Sequence, residues 1–240
     1  MSTNPPVISA SLLAEYCFAS AARRRAILEL MHDDTFEPFK LWYGEVPGAY
    51  RQYVASQCRD DGRLKGLEEQ LVKREAKSDE DDKKALKQLD ALEHIRHLDH
   101  SEILLAAHAF PFDHNVRNFA ISNVTVRVNP TNVLTAPRLG RTAFDVGVLK
   151  PRLMASRVLP EDEGRSFAAI LHWFAEIELG HVGIAEPSLC VVSDVFARKL
   201  HFAPLKHKQI RRAIEANCQE IADRWPSFTP KSTSASRLTA

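Results

Sequence analysis

Three side chains between positions 124 and 204 are suited to metal-assisted chemistry: Lys150, Asp145 and Asp194. Carboxylate oxygens are the ligands that a hard cation such as Mg²⁺ prefers. Asp145 lies five residues before Lys150, so the two side chains fall on opposite faces of an ideal strand unless a bulge at Gly147 realigns them. Asp194 follows an apolar run, where an acid that caps a turn at the sheet edge is the structural alternative.

Basic side chains form a second constellation. The chain has a net charge of only +1, yet no acid occurs between Phe196 and Arg212. Basic stripes of this kind suit phosphate contacts, and about five such contacts to duplex DNA would give log K a slope of about −4 to −5 against log[salt]. Solvated faces, or a surface for an acidic protein, are the alternatives. The candidate nucleic-acid-binding residues are Arg23, Arg24, Arg138, Arg141, Arg152, Arg198, Lys199, Lys206, Lys208, Arg211 and Arg212.

Histidine and cysteine give weaker signals. His94 and His97 are three residues apart, a spacing that places both on one helical face and permits a metal site, although the helix dipole also favours histidine near a C-terminus. Glu176 and Glu178 fall near the end of a helix and are expected to face solvent. The four cysteines are scattered with no C-x-x-C pair, which is typical of buried thiols in a reducing compartment.

The segment 124–204 positions the candidate acids and Lys150. Val124, Val126 and Val128 alternate with polar residues as in a half-buried strand, which Pro130 bends before 133–135 resumes it. A second strand is predicted over 144–150. An amphipathic helix follows Pro160 and ends near Gly180. The apolar run 189–192 predicts a buried strand that continues to residue 202.

Helices are predicted on either side of this segment. Residues 11–30 form the first helix, and residues 206–225 form the last. The charged region at about 60–105 predicts a helical hairpin whose narrow apolar stripe requires a partner, either within the chain, in a second copy or in another protein. A single domain over 1–230 and a disordered tail over 231–240 are expected.

A hairpin that ends in a lysine, then a helix, then a buried strand resembles the PD-(D/E)XK nuclease superfamily, in particular its RecB-like and CRISPR-associated exonuclease-like branch. The segment from Ile8 to Tyr16 and the arginines after it are similar to the N-terminal helix of those enzymes. The resemblance implies an α/β fold with a restriction-endonuclease-like mixed sheet flanked by helices, here with the helical hairpin inserted. It also implies a role for Lys150, which stands at the position of the motif lysine.

The acidic part of the family motif is incomplete. Val148 stands where the family has a metal-binding acid, and Asn129 or Asn132 stands where it has an aspartate. A valine and a neutral amide cannot hold Mg²⁺ in the usual way. The C-terminal cysteine cluster that ligates iron–sulphur in the exonuclease branch has no match. No cofactor is therefore assured, and Mg²⁺ is expected only if Asp145 and Asp194 serve as relocated ligands.

These observations favour a nucleic-acid-binding, nuclease-fold subunit of a bacterial DNA-handling or defence assembly that has lost catalysis. DNA is the favoured ligand, with a protein partner or self-association through the hairpin. One alternative is an active Mg²⁺-dependent nuclease with relocated acids, and the other is a protein-interaction scaffold that uses the hairpin. No apolar run is long enough to span a membrane and no signal peptide is visible, so a cytoplasmic location is expected.

Overall fold

The computed structural model describes residues 5–32, 42–74, 78–138 and 143–227. Arg141 and the tail over 231–240 lie outside these ranges. Within them the chain is a mixed α/β protein with eight α-helices and nine strands. The helices are α1 (Ala10–Phe18), α2 (Ala21–His32), α3 (Val46–Ala55), α4 (Gly62–Lys73), α5 (Asp79–His97), α6 (Ser101–Leu104), α7 (Glu161–Glu178) and α8 (His207–Arg224). The strands are β1 (Val7–Ser9), β2 (His108–Pro111), β3 (Asn118–Ile121), β4 (Val124–Arg127), β5 (Asn132–Pro137), β6 (Phe144–Arg152), β7 (Ile184–Ala185), β8 (Val191–Asp194) and β9 (Lys199–Phe202).

The larger sheet has the order β2-β5-β6-β8-β9, and β7 pairs with β6 off this path. β2, β5 and β6 are antiparallel neighbours, whereas β6 and β8 are parallel. Parallel neighbours need a crossover, and α7 supplies it. Pro160 precedes α7, and three acids in its first turn complement the helix dipole.

Helices cover both faces of this sheet. Val146 and Val148 pack on one face with α1, α7, α8 and a second, three-stranded sheet of order β1-β4-β3, and Leu149 packs on the other face with α3, α4 and α5. Successive residues of β6 therefore enter different cores, which explains why the strand is almost continuously apolar. Gly147 is required by close packing, since a Cβ there would lie 2.2 Å from the backbone oxygen of Leu189.

The region predicted as one bent strand divides between two sheets. β4 pairs with β1 and β3 in a three-stranded sheet, and β5 belongs to the larger sheet. Asn129 between them has a φ of 47°, in the left-handed region that asparagine tolerates better than most residues. The strand predicted to continue to residue 202 also reverses, because Arg198 adopts a φ of 51° and β8 and β9 pair as a hairpin.

The predicted N-terminal helix is divided at Ala19, whose φ of −73° and ψ of 146° are extended. The Ser20 hydroxyl accepts a hydrogen bond from the Arg23 amide and so caps α2. α4 and α5 pack together as a helical pair, and Ser78 is the N-cap residue of α5, with a hydroxyl that accepts a hydrogen bond from the Asp81 amide. No described helix combines the length and apolar character that a membrane span requires.

Candidate functional site

Lys150 lies near the end of β6, opposite Val192 of β8. Its Nζ donates a hydrogen bond to the backbone oxygen of Asn129 at 2.6 Å. Burial, together with the positive charge of Arg117, lowers the pKa of the Lys150 ammonium to about 8. The side chain is half-buried, so this cation is held close to the sheet by a backbone carbonyl.

The positions next to Lys150 offer no carboxylate of the kind the motif requires. Val148, two residues earlier on the same face, is fully buried and pairs with the buried Val133. Asn132 pairs with Leu149, so it shares the opposite face, and its amide donates to the backbone oxygen of Arg51 at 2.9 Å. The residues present therefore do not fit a Mg²⁺ ion at the motif position.

Asp145 is not brought to Lys150. The β5–β6 ladder runs without interruption past Gly147, so no bulge shifts the register there. Five residues of strand separate the two by about 17 Å, and their side chains lie on opposite faces. Asp145 instead forms a half-buried ion pair with Arg138 at 3.4 Å.

Asp194 is buried in an ion pair. Both of its carboxylate oxygens lie 3.2 Å from Nη1 of Arg152, and Oδ2 also accepts from the Leu159 amide at 2.8 Å. Arg152 donates further to the backbone oxygen of Arg157, so the pair ties the loop before α7 to β8. The exposed side-chain fractions are 4% for Arg152 and 1% for Asp194, which keeps Arg152 away from any surface phosphate.

Ion pairs also engage most of the other candidate basic residues. Each partner lies on a different element of the fold, and Arg198 differs only in that its Nε donates to a histidine nitrogen. The pairs are Arg23–Glu15, Arg24–Glu220, Arg138–Asp145, Lys199–Glu161, Arg211–Glu176 and Arg198–His94. The acid-free run in the sequence is thus partly neutralised by tertiary contacts.

Lys206, Lys208 and Arg212 differ from this set. All three are exposed, and none forms an ion pair within the described ranges. Lys206 is the N-cap residue of α8, its side chain makes no capping hydrogen bond, and the first turn contains no acid. A helix N-terminus carries partial positive charge, so lysines here add to a field that already attracts anions.

Among the described residues, the two histidines of α5 belong to no group of three metal-ligating side chains. His94 is half-buried, and its Nδ1 accepts from Arg198 at 3.3 Å while Nε2 lies 3.5 Å from Asp90. His97 is exposed. In the part of the chain that the structure describes, the one group of three metal-ligating side chains consists of His172, Glu176 and His207. The sequence signal for this group is a histidine and a glutamate one helical turn apart.

A buried polar network lies in the core on the Leu149 face of the larger sheet. The Tyr50 hydroxyl lies 2.9 Å from Nε2 of His100 and 2.8 Å from the hydroxyl of Ser193. Nδ1 of His100 lies 2.9 Å from the backbone oxygen of Leu98. Burial lowers the pKa of His100 to about 4 and raises the pKa of Tyr50. These groups are enclosed, so the network connects α3 to β8 rather than facing a substrate.

No protein-family model matches this chain, and no curated protein shows significant similarity to it.

Proposed function

We propose that this chain is a nucleic-acid-binding protein with a nuclease-like core that does not cleave, acting within a bacterial DNA-handling or defence assembly. The observation that carries the proposal is the exposed, unneutralised basic start of α8. Lys206 and Lys208 lie at a helix N-terminus that has no side-chain cap and no acid in its first turn, and Arg212 lies one turn further along the same helix. A backbone phosphate placed there would meet both side-chain charge and free amide groups.

The strand arrangement supports a nuclease-like core. The β5–β6 hairpin carries Lys150 on its second strand, α7 crosses over, and β8 returns parallel to β6. This is the order of elements on which the resemblance to PD-(D/E)XK nucleases rests. The exposed residues of α8 lie on the helix that packs against α7, on the same side of the sheet as Lys150.

The side chains around Lys150 support the absence of cleavage. Val148 is fully buried, and Asp194 is already neutralised by Arg152. Metal-assisted hydrolysis needs carboxylates that hold the ion beside the reacting phosphate. Asp145 is on the opposite face and is paired with Arg138. The active-nuclease alternative would require rearrangement of each of these contacts.

The test is binding and cleavage of labelled single- and double-stranded DNA and RNA, with Mg²⁺, Mn²⁺ or EDTA, across a salt series. The variant Lys206→Ala/Lys208→Ala/Arg212→Ala removes the basic start of α8. We expect it to weaken duplex binding and to reduce the slope of log K against log[salt] by about 2–3, because each phosphate contact contributes about 0.9.

A charge-matched control removes three exposed basic residues from α4, α5 and the turn before them: Arg59→Ala/Arg63→Ala/Lys83→Ala. It should bind as the wild type does. Equal weakening in both triple variants would refute a site at α8, and metal-dependent cleavage lost in Lys150→Ala would establish the active nuclease instead. If the chain shows no nucleic-acid binding and no cleavage, the scaffold alternative is favoured. The exposure of Val72 and Leu86 on the helical pair supports that alternative.

A further inference from the structure

Three metal-ligating side chains meet where α7 packs against α8. His172 and Glu176 are one turn apart on α7, and His207 is the first residue of α8. One nitrogen or oxygen atom from each lies within 4.8 Å of the others, and the two imidazole rings are 4.5 Å apart between centroids. His172 is buried, whereas His207 is half-buried and Glu176 reaches solvent, which leaves an approach for an ion.

The hydrogen bonds of His172 assign different roles to its two ring nitrogens: one accepts a hydrogen bond and the other donates. Nη2 of Arg211 lies 2.7 Å from Nδ1 of His172, and because a guanidinium can only donate, Nδ1 must carry the lone pair. Nε2 then carries the proton and faces the backbone oxygen of Ala185 at 3.4 Å. Histidines that bind metals typically donate their second N–H to a backbone carbonyl or carboxylate in this way.

His207 supplies an independent indication. Its Nδ1 is buried and has no hydrogen-bond partner within the described ranges. A buried ring nitrogen without a partner is costly, and coordination of a metal ion would satisfy it. The guanidinium of Arg211, which also donates to Glu176, shows that the same space already accommodates a cation.

We propose that His172, Glu176 and His207 bind a Zn²⁺-class transition-metal ion that takes the place of the Arg211 guanidinium. Two imidazoles and one carboxylate suit zinc, whereas Mg²⁺ prefers an all-oxygen set. Zinc–ligand distances of about 2.0–2.2 Å require the three ligand atoms to lie closer together than the 4.8 Å that bounds their present separations. Three protein ligands leave a fourth position open to water or an anion.

The experiment titrates the metal-free full chain with Zn²⁺ alone by calorimetry, and with Co²⁺ to record the ligand-field spectrum. No nucleic acid is present, so the outcome is independent of the function proposed above. We expect one ion per chain and a tetrahedral Co²⁺ spectrum. His207→Ala and Glu176→Gln should each weaken binding at least tenfold. His97→Ala, an exposed histidine on α5, should leave the affinity unchanged.

Arg211→Gln distinguishes a metal site from an ordinary polar cluster. If the guanidinium competes with the ion, this variant should bind Zn²⁺ more tightly than the wild type. Circular dichroism of each variant checks that the fold is retained. Glu176 is exposed, so Glu176→Gln is the ligand variant least expected to disturb folding. Wild-type protein that binds no stoichiometric Zn²⁺ would overturn the proposal, even if Arg211→Gln does bind. Unchanged affinity in both His207→Ala and Glu176→Gln would overturn it equally.

Discussion

Asp194→Ala is the substitution that best separates a structural from a catalytic role for this acid. It would leave Arg152 with a buried, uncompensated charge, and it would remove the acceptor of the Leu159 amide. Breaking a buried ion pair by removing one partner costs about 3–5 kcal/mol. A protein of ordinary stability has about 5–15 kcal/mol in total, so the variant should be severely destabilised. For a chain of this size, each kcal/mol lowers the midpoint of thermal unfolding by about 2–4 °C, so the midpoint should fall by about 6–20 °C.

The assay is equilibrium unfolding in urea followed by circular dichroism, with the free energy of unfolding extrapolated to water. Asp145→Ala is the matched control, because its ion pair with Arg138 is partly exposed on both sides and should contribute less than about 1 kcal/mol. The double variant Arg152→Met/Asp194→Leu should recover part of the loss, since apolar residues often replace a buried ion pair without cost, although the Leu159 amide stays without its acceptor.

The reasoning would be refuted if Asp194→Ala lost no more stability than Asp145→Ala. A free energy within 1 kcal/mol of the wild type would mean that Arg152 finds water or another partner on losing the acid. Metal-dependent nuclease activity that disappears in Asp194→Ala while its stability is retained would assign the acid to catalysis. Destabilisation without any activity in the wild type is the result we expect.

Two further predictions concern stability. Burial lowers the pKa of His100 to about 4 in the folded protein, whereas in the unfolded chain the same imidazole is protonated near pH 6.5. The contribution of neutral His100 to the free energy of unfolding is therefore complete above pH 6.5 and is lost as the pH falls towards 4, by up to about 3 kcal/mol. The free energy of unfolding of His100→Gln should depend less steeply on pH across this range than that of the wild type. Gly147→Ala should cost about 1–3 kcal/mol, because its Cβ would meet the Leu189 backbone. Gly48→Ala in α3, where a Cβ would meet nothing within 4 Å, should instead stabilise by about 0.5–1 kcal/mol, as thermal unfolding of both variants would show.

Much of the secondary structure could be predicted because its signals are local. The apolar β6, the acidic first turn of α7 and the periodicity of α8 each depend on neighbouring residues. Chain reversals were harder to predict. The separation of β4 from β5 and the hairpin at Arg198 depend on left-handed backbone at non-glycine positions, which tertiary packing selects and residue type only permits.

The partners of the candidate site residues could not be predicted, because they come from distant parts of the chain. Asp194 was conspicuous after an apolar run, but the sequence does not show that Arg152 lies opposite it in the ladder. The His172–Glu176 pair has a recognisable helical spacing. Its third member, His207, is separated from Glu176 by three strands, β7, β8 and β9, and only the packing of α8 on α7 brings it there.

The contrast between the basic sequence run and the basic surface decides which residues to test. A stretch without acids predicts a positive face only if no acid approaches from elsewhere, and here Glu161 and Glu176 of α7 neutralise Lys199 and Arg211. Exposed ion pairs are weak, so a phosphate could replace the acid of such a pair. The free energy of breaking the pair would then be subtracted from that of the new phosphate contact. Residues without such partners offer the same charge without that cost. Under the proposed function, the electrostatic free energy of nucleic-acid binding should therefore be concentrated at the start of α8 rather than spread over all eleven basic candidates.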